Sequence, residues 1–97
     1  MCNKKTKQRF IFLSSFNQDG SPTSKAEIEE RMGILSHEFF KTSDYATRKH
    51  WVKQTANEFV DEGVLSLEDA NSWRITDDGI ASREYSYNCF IEPALKE

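Results

Sequence analysis

Apolar residues in the second half of the chain fall into two short runs separated by a polar segment. The run Val-Leu-Ser-Leu at 64–67 has the length of a strand, and Trp73 and Ile75 alternate with polar neighbours at the period of two that is typical of a strand. The segment 68–72 between them is polar and favours a loop. The pattern therefore predicts a β-hairpin.

The residues that flank this hairpin indicate a helix on each side. Gly63 lies where the end of a helix favours the left-handed backbone conformation, which glycine adopts without a Cβ penalty. Thr76 precedes two aspartates, and a threonine followed by acidic residues is typical of a helix N-terminus. We therefore expect one helix to end near Glu62 and a short helix to cover 77–85.

The apolar run 9–16 is too short and too uniformly apolar for its periodicity to decide between helix and strand. We assign it to a helix, with Phe10, Leu13 and Phe16 facing the core, and keep a strand as the alternative. The turn-forming sequence Asn-Gln-Asp-Gly at 17–20 ends this element.

A second helix is predicted after the short extended segment 21–23. Ser24 and Glu27 have the spacing of a capping box, so this helix begins near Lys25, and Gly33 is expected to end it. A connection of about ten residues follows, which is longer than the usual three or four between the helices of a helix-turn-helix.

The segment 45–62 has the pattern of a helix with one apolar face. Tyr45, Val52, Ala56 and Phe59 fall on one stripe at helical spacing, and we expect them to face the core. The remaining surface is polar and basic, which suits either a solvated face or a binding face. Its polar and basic residues are Thr47, Arg48, Lys49, His50, Lys53, Gln54 and Asn57.

The order of these elements and two sequence motifs resemble the winged helix-turn-helix DNA-binding domains. The motifs are Gly-Val-Leu at 63–65 after a helix, and Trp-Arg-Ile-Thr at 73–76 followed by Gly79. They are similar to the ending of MarR-like and PadR-like regulators, and most similar to the N-terminal domain of Mrr-type restriction proteins. The resemblance implies a mainly α fold with a small β-hairpin (α+β), in which a three-helix core is joined by a wing and a short C-terminal helix.

We expect the chain to have three parts. Residues 1–8 are polar and basic without periodicity, which predicts a flexible basic arm. The resemblance implies a winged-helix domain at 9–85, and residues 86–97 are expected to form a C-terminal extension. We expect the aromatic-rich segment 86–91 to be extended, with Pro93 breaking it. The long connection before residue 45 agrees with the resemblance, because Mrr-type domains have a lengthened connection at this place.

Under this resemblance the segment 45–62 is the recognition helix and enters the major groove of double-stranded DNA. Thr, His, Gln and Asn side chains can form hydrogen bonds with base edges, whereas Arg and Lys suit phosphates. The function would be that of a transcription regulator or a restriction-type DNA-recognition module. The alternative is a winged-helix protein–protein interaction or dimerisation module without DNA binding, and a homodimer is compatible with both. The predicted DNA-binding residues are Thr47, Arg48, Lys49, His50, Lys53, Gln54, Asn57 and Arg74.

Charge favours the DNA interpretation only in part of the chain. The 97 residues have a net charge of −3, whereas nucleic-acid binders usually carry a basic surface. Basic residues nevertheless cluster at 4–9 and again at 41–53. The expected wing tip carries Glu68 and Asp69, which repel phosphates. We therefore expect modest DNA affinity, strong salt dependence and little contribution from the wing.

No combination of residues indicates an enzyme or a metal site. The four glycines lack the spacing of a phosphate-binding loop, each histidine stands alone, and neither Cys2 nor Cys89 lies at zinc-ligand spacing. We predict no catalytic residues, no metal and no small-molecule cofactor. The sequence has no apolar run of about eighteen residues and no signal-peptide pattern, so we expect a cytoplasmic protein without a membrane partner.

Overall fold

Helices and a small antiparallel sheet make up the fold. The computed structural model describes residues 3–46 and 50–96. The mainly helical α+β class is confirmed, and helix α4 is continued by a π-helical turn, Tyr87–Ile91, and a short helix, α5. In chain order, the elements are α1 (Lys4–Ser14), β1 (Thr23–Ser24), α2 (Lys25–Phe40), α3 (Trp51–Asp61), β2 (Leu65–Asp69), β3 (Ser72–Ile75), α4 (Asp77–Ser86) and α5 (Glu92–Leu95).

The sheet has three antiparallel strands in the order β1-β3-β2. The predicted hairpin is strands β2 and β3, in which Leu65 is opposite Ile75. The extended segment predicted before α2 contributes β1, whose Thr23 is opposite Trp73. Strand β3 is the central strand of this order. Its Trp73 is fully buried, so the strand also forms one wall of the core.

Both predicted helix caps are present. The Ser24 hydroxyl accepts a hydrogen bond from the Glu27 N–H at 3.2 Å, and the Thr76 hydroxyl accepts one from the Gly79 N–H at 3.1 Å. Gly63 has the expected left-handed backbone, with φ of 82°. These are local signals, and each acts within a few residues, which explains why the sequence predicted them well.

The N-terminal helix begins earlier than predicted. We expected a basic arm at 1–8 and a helix from Arg9, but α1 begins at Lys4. The Asn3 side chain caps it by accepting a hydrogen bond from the Thr6 N–H at 2.8 Å. Lys, Gln and Arg are good helix formers, so the polar residues 4–8 extend the helix although they have no apolar stripe.

The prediction that α2 ends at Gly33 is wrong. The helix continues to Phe40, and Ile28, Met32 and Ser36 form a fully buried stripe along it. Burial of this stripe outweighs the cost of about 1 kcal/mol for one glycine in a helix. Lys41, with a left-handed φ of 57°, ends the helix instead. Most of the connection predicted after residue 33 is therefore helical.

Helix α3 is shorter than the predicted helix 45–62. It begins at Trp51, because His50 directly before it has a left-handed backbone with φ of 71°. The predicted buried stripe of Val52, Ala56 and Phe59 is confirmed. Tyr45 is also buried, but it lies in the connection and not in the helix.

The C-terminal segment is helical and not extended, so the prediction for 86–91 was wrong. Helix α4 passes into the π-helical turn, and Pro93 lies in the first turn of α5, where a helix tolerates proline. Ile91 is fully buried, and the Tyr87 ring lies 5.7 Å from that of Phe10. Packing against α1 thus keeps this segment helical.

The core is built around α1. Four consecutive residues of this helix, from Phe10 to Leu13, are fully buried, because other elements cover it on several sides. The Phe10 ring lies 5.1 Å from Phe39 of α2, and the Phe12 ring lies 5.1 Å from Phe59 of α3. Edge-to-face pairs of this kind hold the helices around α1 in fixed positions.

Candidate nucleic-acid interface

The outer face of α3 exposes four of the predicted DNA-binding residues. His50, Lys53, Gln54 and Asn57 are all exposed, while the opposite stripe of α3 is buried in the core. In the part of the chain that the structure describes, Lys53 has no carboxylate within 4 Å and is a free cation. Three further predicted residues, Thr47, Arg48 and Lys49, lie outside the described residues.

Charge is unevenly distributed along α3. Lys53 lies in its first turn, whereas Glu58, Asp61 and the following Glu62 lie at its C-terminal end. The helix dipole adds partial positive charge at the N-terminus and partial negative charge at the C-terminus. Both effects make the N-terminal half of α3 the part that suits a polyanion.

Arg74 lies apart from this face, on β3, and its charge is already paired. Its Nε donates to Glu68 Oε2 at 2.7 Å, and its Nη1 donates to the Gly20 carbonyl oxygen at 3.3 Å. The hydrogen bond from Arg74 holds the pKa of the Glu68 carboxyl below its usual value, and the Glu68 carboxylate raises the pKa of Arg74. The structure therefore gives Arg74 a partner within its own hairpin.

The acidic residues of the hairpin have structural partners. Glu68 holds Arg74 across the two strands, and Asp69 accepts a hydrogen bond from the Asn71 N–H at 2.9 Å in the turn. That backbone hydrogen bond and one from the Ser72 side chain lower the pKa of Asp69. The two acidic residues of the hairpin tip therefore have structural roles, one in the turn and one between the strands.

The sequence indicated a cluster of cations near the N-terminus, but not that they lie on the surface of helix α1. The helix carries Lys4, Lys5, Lys7 and Arg9 and contains no acidic residue. Since the whole chain has a net charge of −3, these four cations leave a net charge of −7 for the remainder. We predicted Lys4, Lys5 and Lys7 as part of an arm and Arg9 as the start of a helix. In the structure all four lie on one helix, whose other side is packed in the core.

A cleft of about 210 Å³ lies between α1 and α3, and sequence reasoning did not predict it. The Arg9 guanidinium lies 4.4 Å from the centre of the Phe59 ring, and its Nη1 lies 3.3 Å from Glu62 Oε1. No local sequence signal marks this cleft, because its walls come from two helices that are far apart along the chain. It is lined by Lys5, Gln8, Arg9, Trp51, Thr55, Glu58 and Phe59.

The C-terminal segment exposes two aromatic side chains. Tyr85 is 64% exposed, and its ring lies 6.0 Å from that of the exposed Phe90. Across residues 3–46 and 50–96, no group of three or more His, Cys, Asp and Glu side chains is arranged to hold a metal ion. Within the same residues, none of the helices combines the length and the apolar character needed to cross a membrane.

Comparison with known proteins gives no further guide to this surface. No family model matches the chain, and neither does any curated protein or solved structure. Function must therefore be argued from the residues and their geometry.

Proposed function

We propose that this chain is a winged helix-turn-helix domain that binds double-stranded DNA through the N-terminal half of α3. The observation that carries the proposal is the division of α3 into two faces. Val52, Ala56 and Phe59 fix the helix to the core. The opposite face presents Lys53, which has no carboxylate partner among the described residues, beside Gln54 and Asn57. A helix enters a major groove in this way, with its polar face outward and its N-terminal residues near the bases.

The element order supports the proposal. A helix, a short strand, two helices, a hairpin and a further helix follow one another, and β1 pairs with the second strand of the hairpin. The winged-helix resemblance implies this arrangement, with α3 as the recognition helix and β2–β3 as the wing. The connection between α2 and α3, from 41 to 50, is longer than in a simple helix-turn-helix.

The chemistry of α3 suits both parts of DNA recognition. The amide groups of Gln54 and Asn57 can pair with the edge of an adenine, and Lys53 suits a phosphate. In the same proposal Arg48 and Lys49, directly ahead of α3 in sequence, hold the backbone together with the cations of α1. Five such phosphate contacts, from Arg48, Lys49, Lys53, Lys4 and Lys5, would give a slope of about −4.5 for log K against log salt concentration.

The proposal assigns little DNA binding to the hairpin or to the C-terminal half of α3. Glu58 and Asp61 repel phosphates, and Arg74 is occupied by Glu68. We therefore expect DNA to lie across the N-terminal end of α3 and toward α1. The affinity is expected to be modest and to fall steeply as salt rises.

Fluorescence anisotropy with a mixed pool of labelled duplex DNA, at low and near-physiological salt, tests the proposal. The unmodified chain is expected to bind at low salt and to lose affinity steeply as salt rises. The double variant Arg48→Ala, Lys53→Ala is expected to weaken binding and to flatten the slope by about 1.8, because two phosphate contacts are lost. Lys96→Ala removes an exposed cation from the other end of the chain and is the matched control. Binding and slope that stay unchanged in the double variant would contradict the proposal.

A protein–protein interaction module is the second candidate, and the exposed Tyr85 and Phe90 favour it. Large aromatic side chains that remain exposed are a common feature of binding surfaces, including those of homodimers. Sedimentation velocity over a range of concentrations tests for a homodimer, and a Tyr85→Ser, Phe90→Ser variant tests this surface. A strict monomer that retains no partner would exclude this candidate.

A further inference from the structure

The cleft between α1 and α3 combines a flat apolar floor with polar groups at its edges. Trp51 and Phe59 supply ring surface, and the Arg9 guanidinium lies over Phe59 at 4.4 Å. Around this floor stand Gln8 and Thr55, whose side chains can both donate and accept hydrogen bonds. Aromatic rings and guanidinium planes together are surfaces on which nucleobases stack.

The volume of the cleft fits one planar ring system. A cavity of about 150 Å³ is large enough for benzene. At about 210 Å³ the cleft can take a larger ring with polar substituents, but it cannot enclose a whole nucleotide. A sugar and phosphate attached to a base would therefore lie outside, along the surface of one of the two helices.

The charges around the cleft select the kind of ligand. Glu58 lies in its lining, so a carboxylate ligand would be repelled there, whereas an amino group would be attracted. Lys5 lines the α1 side, and Lys4 lies four residues before Gln8, on the same side of the helix. The charge of Arg9 is partly satisfied by Glu62, but α1 itself contains no carboxylate that could neutralise the two lysines.

We propose that this cleft binds a nucleoside monophosphate whose base carries an exocyclic amino group. The base stacks on the Arg9 guanidinium, which itself lies on Phe59, and packs beside Trp51; its amino group donates to Glu58, and its phosphate interacts with Lys5 and Lys4. Two lysines suit the double charge of a phosphate better than the single charge of a carboxylate. This site does not include Lys53, Gln54 and Asn57 of the proposed DNA-binding face. It shares Lys4 and Lys5 with the α1 surface proposed to contact DNA phosphates, but it does not depend on the proposed DNA binding.

Titration with adenosine monophosphate, followed by ¹H–¹⁵N NMR spectra, tests the inference. We expect saturable shifts of the Trp51 indole signal and of the Gln8 and Thr55 signals. Adenosine, which lacks the phosphate, is expected to bind on the order of tenfold more weakly, because a charge-assisted interaction is lost. Inosine monophosphate, which has a carbonyl in place of the amino group, is also expected to bind more weakly.

Three variants locate the ligand within the cleft. Lys5→Gln is expected to lower the affinity for adenosine monophosphate toward that for adenosine, since Lys4 still contacts the phosphate, and Glu58→Gln is expected to remove the preference over inosine monophosphate. Thr55→Phe fills the cleft and is expected to abolish binding, with its NMR spectrum showing whether the fold is retained. Lys96→Gln, an exposed lysine away from the cleft, is the control for Lys5→Gln and is expected to bind as the unmodified chain does.

Several results would overturn the inference, and they are separable from failure of the DNA proposal. They are an absence of saturable shifts at millimolar ligand, equal binding of inorganic phosphate alone, and binding unchanged by both Lys5→Gln and Glu58→Gln. Shifts confined to Lys53, Gln54 and Asn57 would place the nucleotide on the DNA-facing surface and would also overturn it. The anisotropy experiment with duplex DNA can succeed or fail whichever of these results is found.

Discussion

Helix α1 and the hairpin β2–β3 differ in how their charges are partnered. Helix α1 has four cations and no acid of its own, and of these Arg9 is paired with Glu62. The hairpin has one cation, Arg74, and that cation is bound at 2.7 Å by Glu68 of the neighbouring strand. A basic residue attracts a polyanion only with the charge that its neighbours leave unneutralised. Under the DNA-binding proposal, the comparison therefore favours α1 over the hairpin as the second region that contacts phosphates.

The two regions also differ in how firmly they are anchored, and a substitution in each tests this difference. Phe12 is fully buried and contacts Phe16, Trp51 and Phe59, whereas Leu67 of the hairpin is 58% exposed. Phe12→Ala is expected to lower the free energy of unfolding by about 3 to 5 kcal/mol, because it opens a cavity at the centre of the core. Leu67→Ala, the matched control, is expected to change it by less than about 0.5 kcal/mol.

Urea denaturation followed by circular dichroism measures both values. A loss below about 1 kcal/mol for Phe12→Ala would mean that α1 is not the central helix of the core. It would also remove the basis for treating the lysines of α1 as a fixed surface.

The second prediction compares Lys4 and Lys5 of α1, which have no ion-pair partner among residues 3–46 and 50–96, with the paired Arg74 of the hairpin. If the DNA-binding proposal holds, the double variant Lys4→Gln, Lys5→Gln is expected to weaken duplex binding on the order of tenfold at low salt. The magnitude of the salt slope is expected to fall by about 1.8, because two phosphate contacts are lost. Arg74→Gln is expected to leave the affinity and the slope nearly unchanged, because Glu68 already neutralises Arg74.

Anisotropy titrations at several salt concentrations give both quantities. A larger loss for Arg74→Gln than for the lysine pair would reverse the comparison and place the DNA against the hairpin. If both variants leave DNA affinity and salt slope nearly unchanged, neither α1 nor the hairpin contacts the DNA backbone.

The smallest predicted effect concerns the hairpin ion pair and its dependence on pH. Arg74 lowers the pKa of Glu68, so this carboxylate stabilises the folded state at pH values above the pKa that it has in the unfolded chain. The contribution is lost as pH falls through the lower pKa of the folded state. Because both side chains are exposed, we expect only a small difference in melting temperature between the unmodified chain and Glu68→Gln.

This difference is expected near pH 6 and is expected to vanish in the most acidic samples that still fold. Thermal unfolding from pH 6 to pH 3, with Arg74→Gln measured beside Glu68→Gln, checks it. A difference that grows toward acid pH would contradict the assigned direction of the Glu68 pKa.

The elements that the sequence predicted well are those specified by signals within a few residues. Ser24 and Thr76 cap the helices that follow them, and Gly63 has the left-handed backbone that its position required. The alternating run around Trp73 forms the predicted second strand of the hairpin. In each of these cases the determining contact lies in the same turn or along the same strand.

The predictions that failed depended on contacts between distant segments or on the backbone of a single residue. Gly33 is compatible with a long helix only because the buried residues on both sides of it are held by the core. Nothing in the side chain of His50 indicates its left-handed backbone, which moves the start of α3 from Tyr45 to Trp51. The candidate site could not be predicted in full for the same reason. The partner of Arg74 depends on the register of the two strands, and the cleft is formed by two helices that are distant in sequence.

Thr76 has a consequence that extends beyond capping α4. Its N–H donates to the Val64 carbonyl at 3.1 Å, its hydroxyl donates to the Gly63 carbonyl at 2.7 Å, and the same hydroxyl accepts from the Gly79 N–H. One residue thus joins the end of α3, the second strand of the hairpin and the first turn of α4. In hydrogen-exchange terms, we therefore expect the amides of Thr76 and Gly79 to be protected together, because both depend on the position of this one residue.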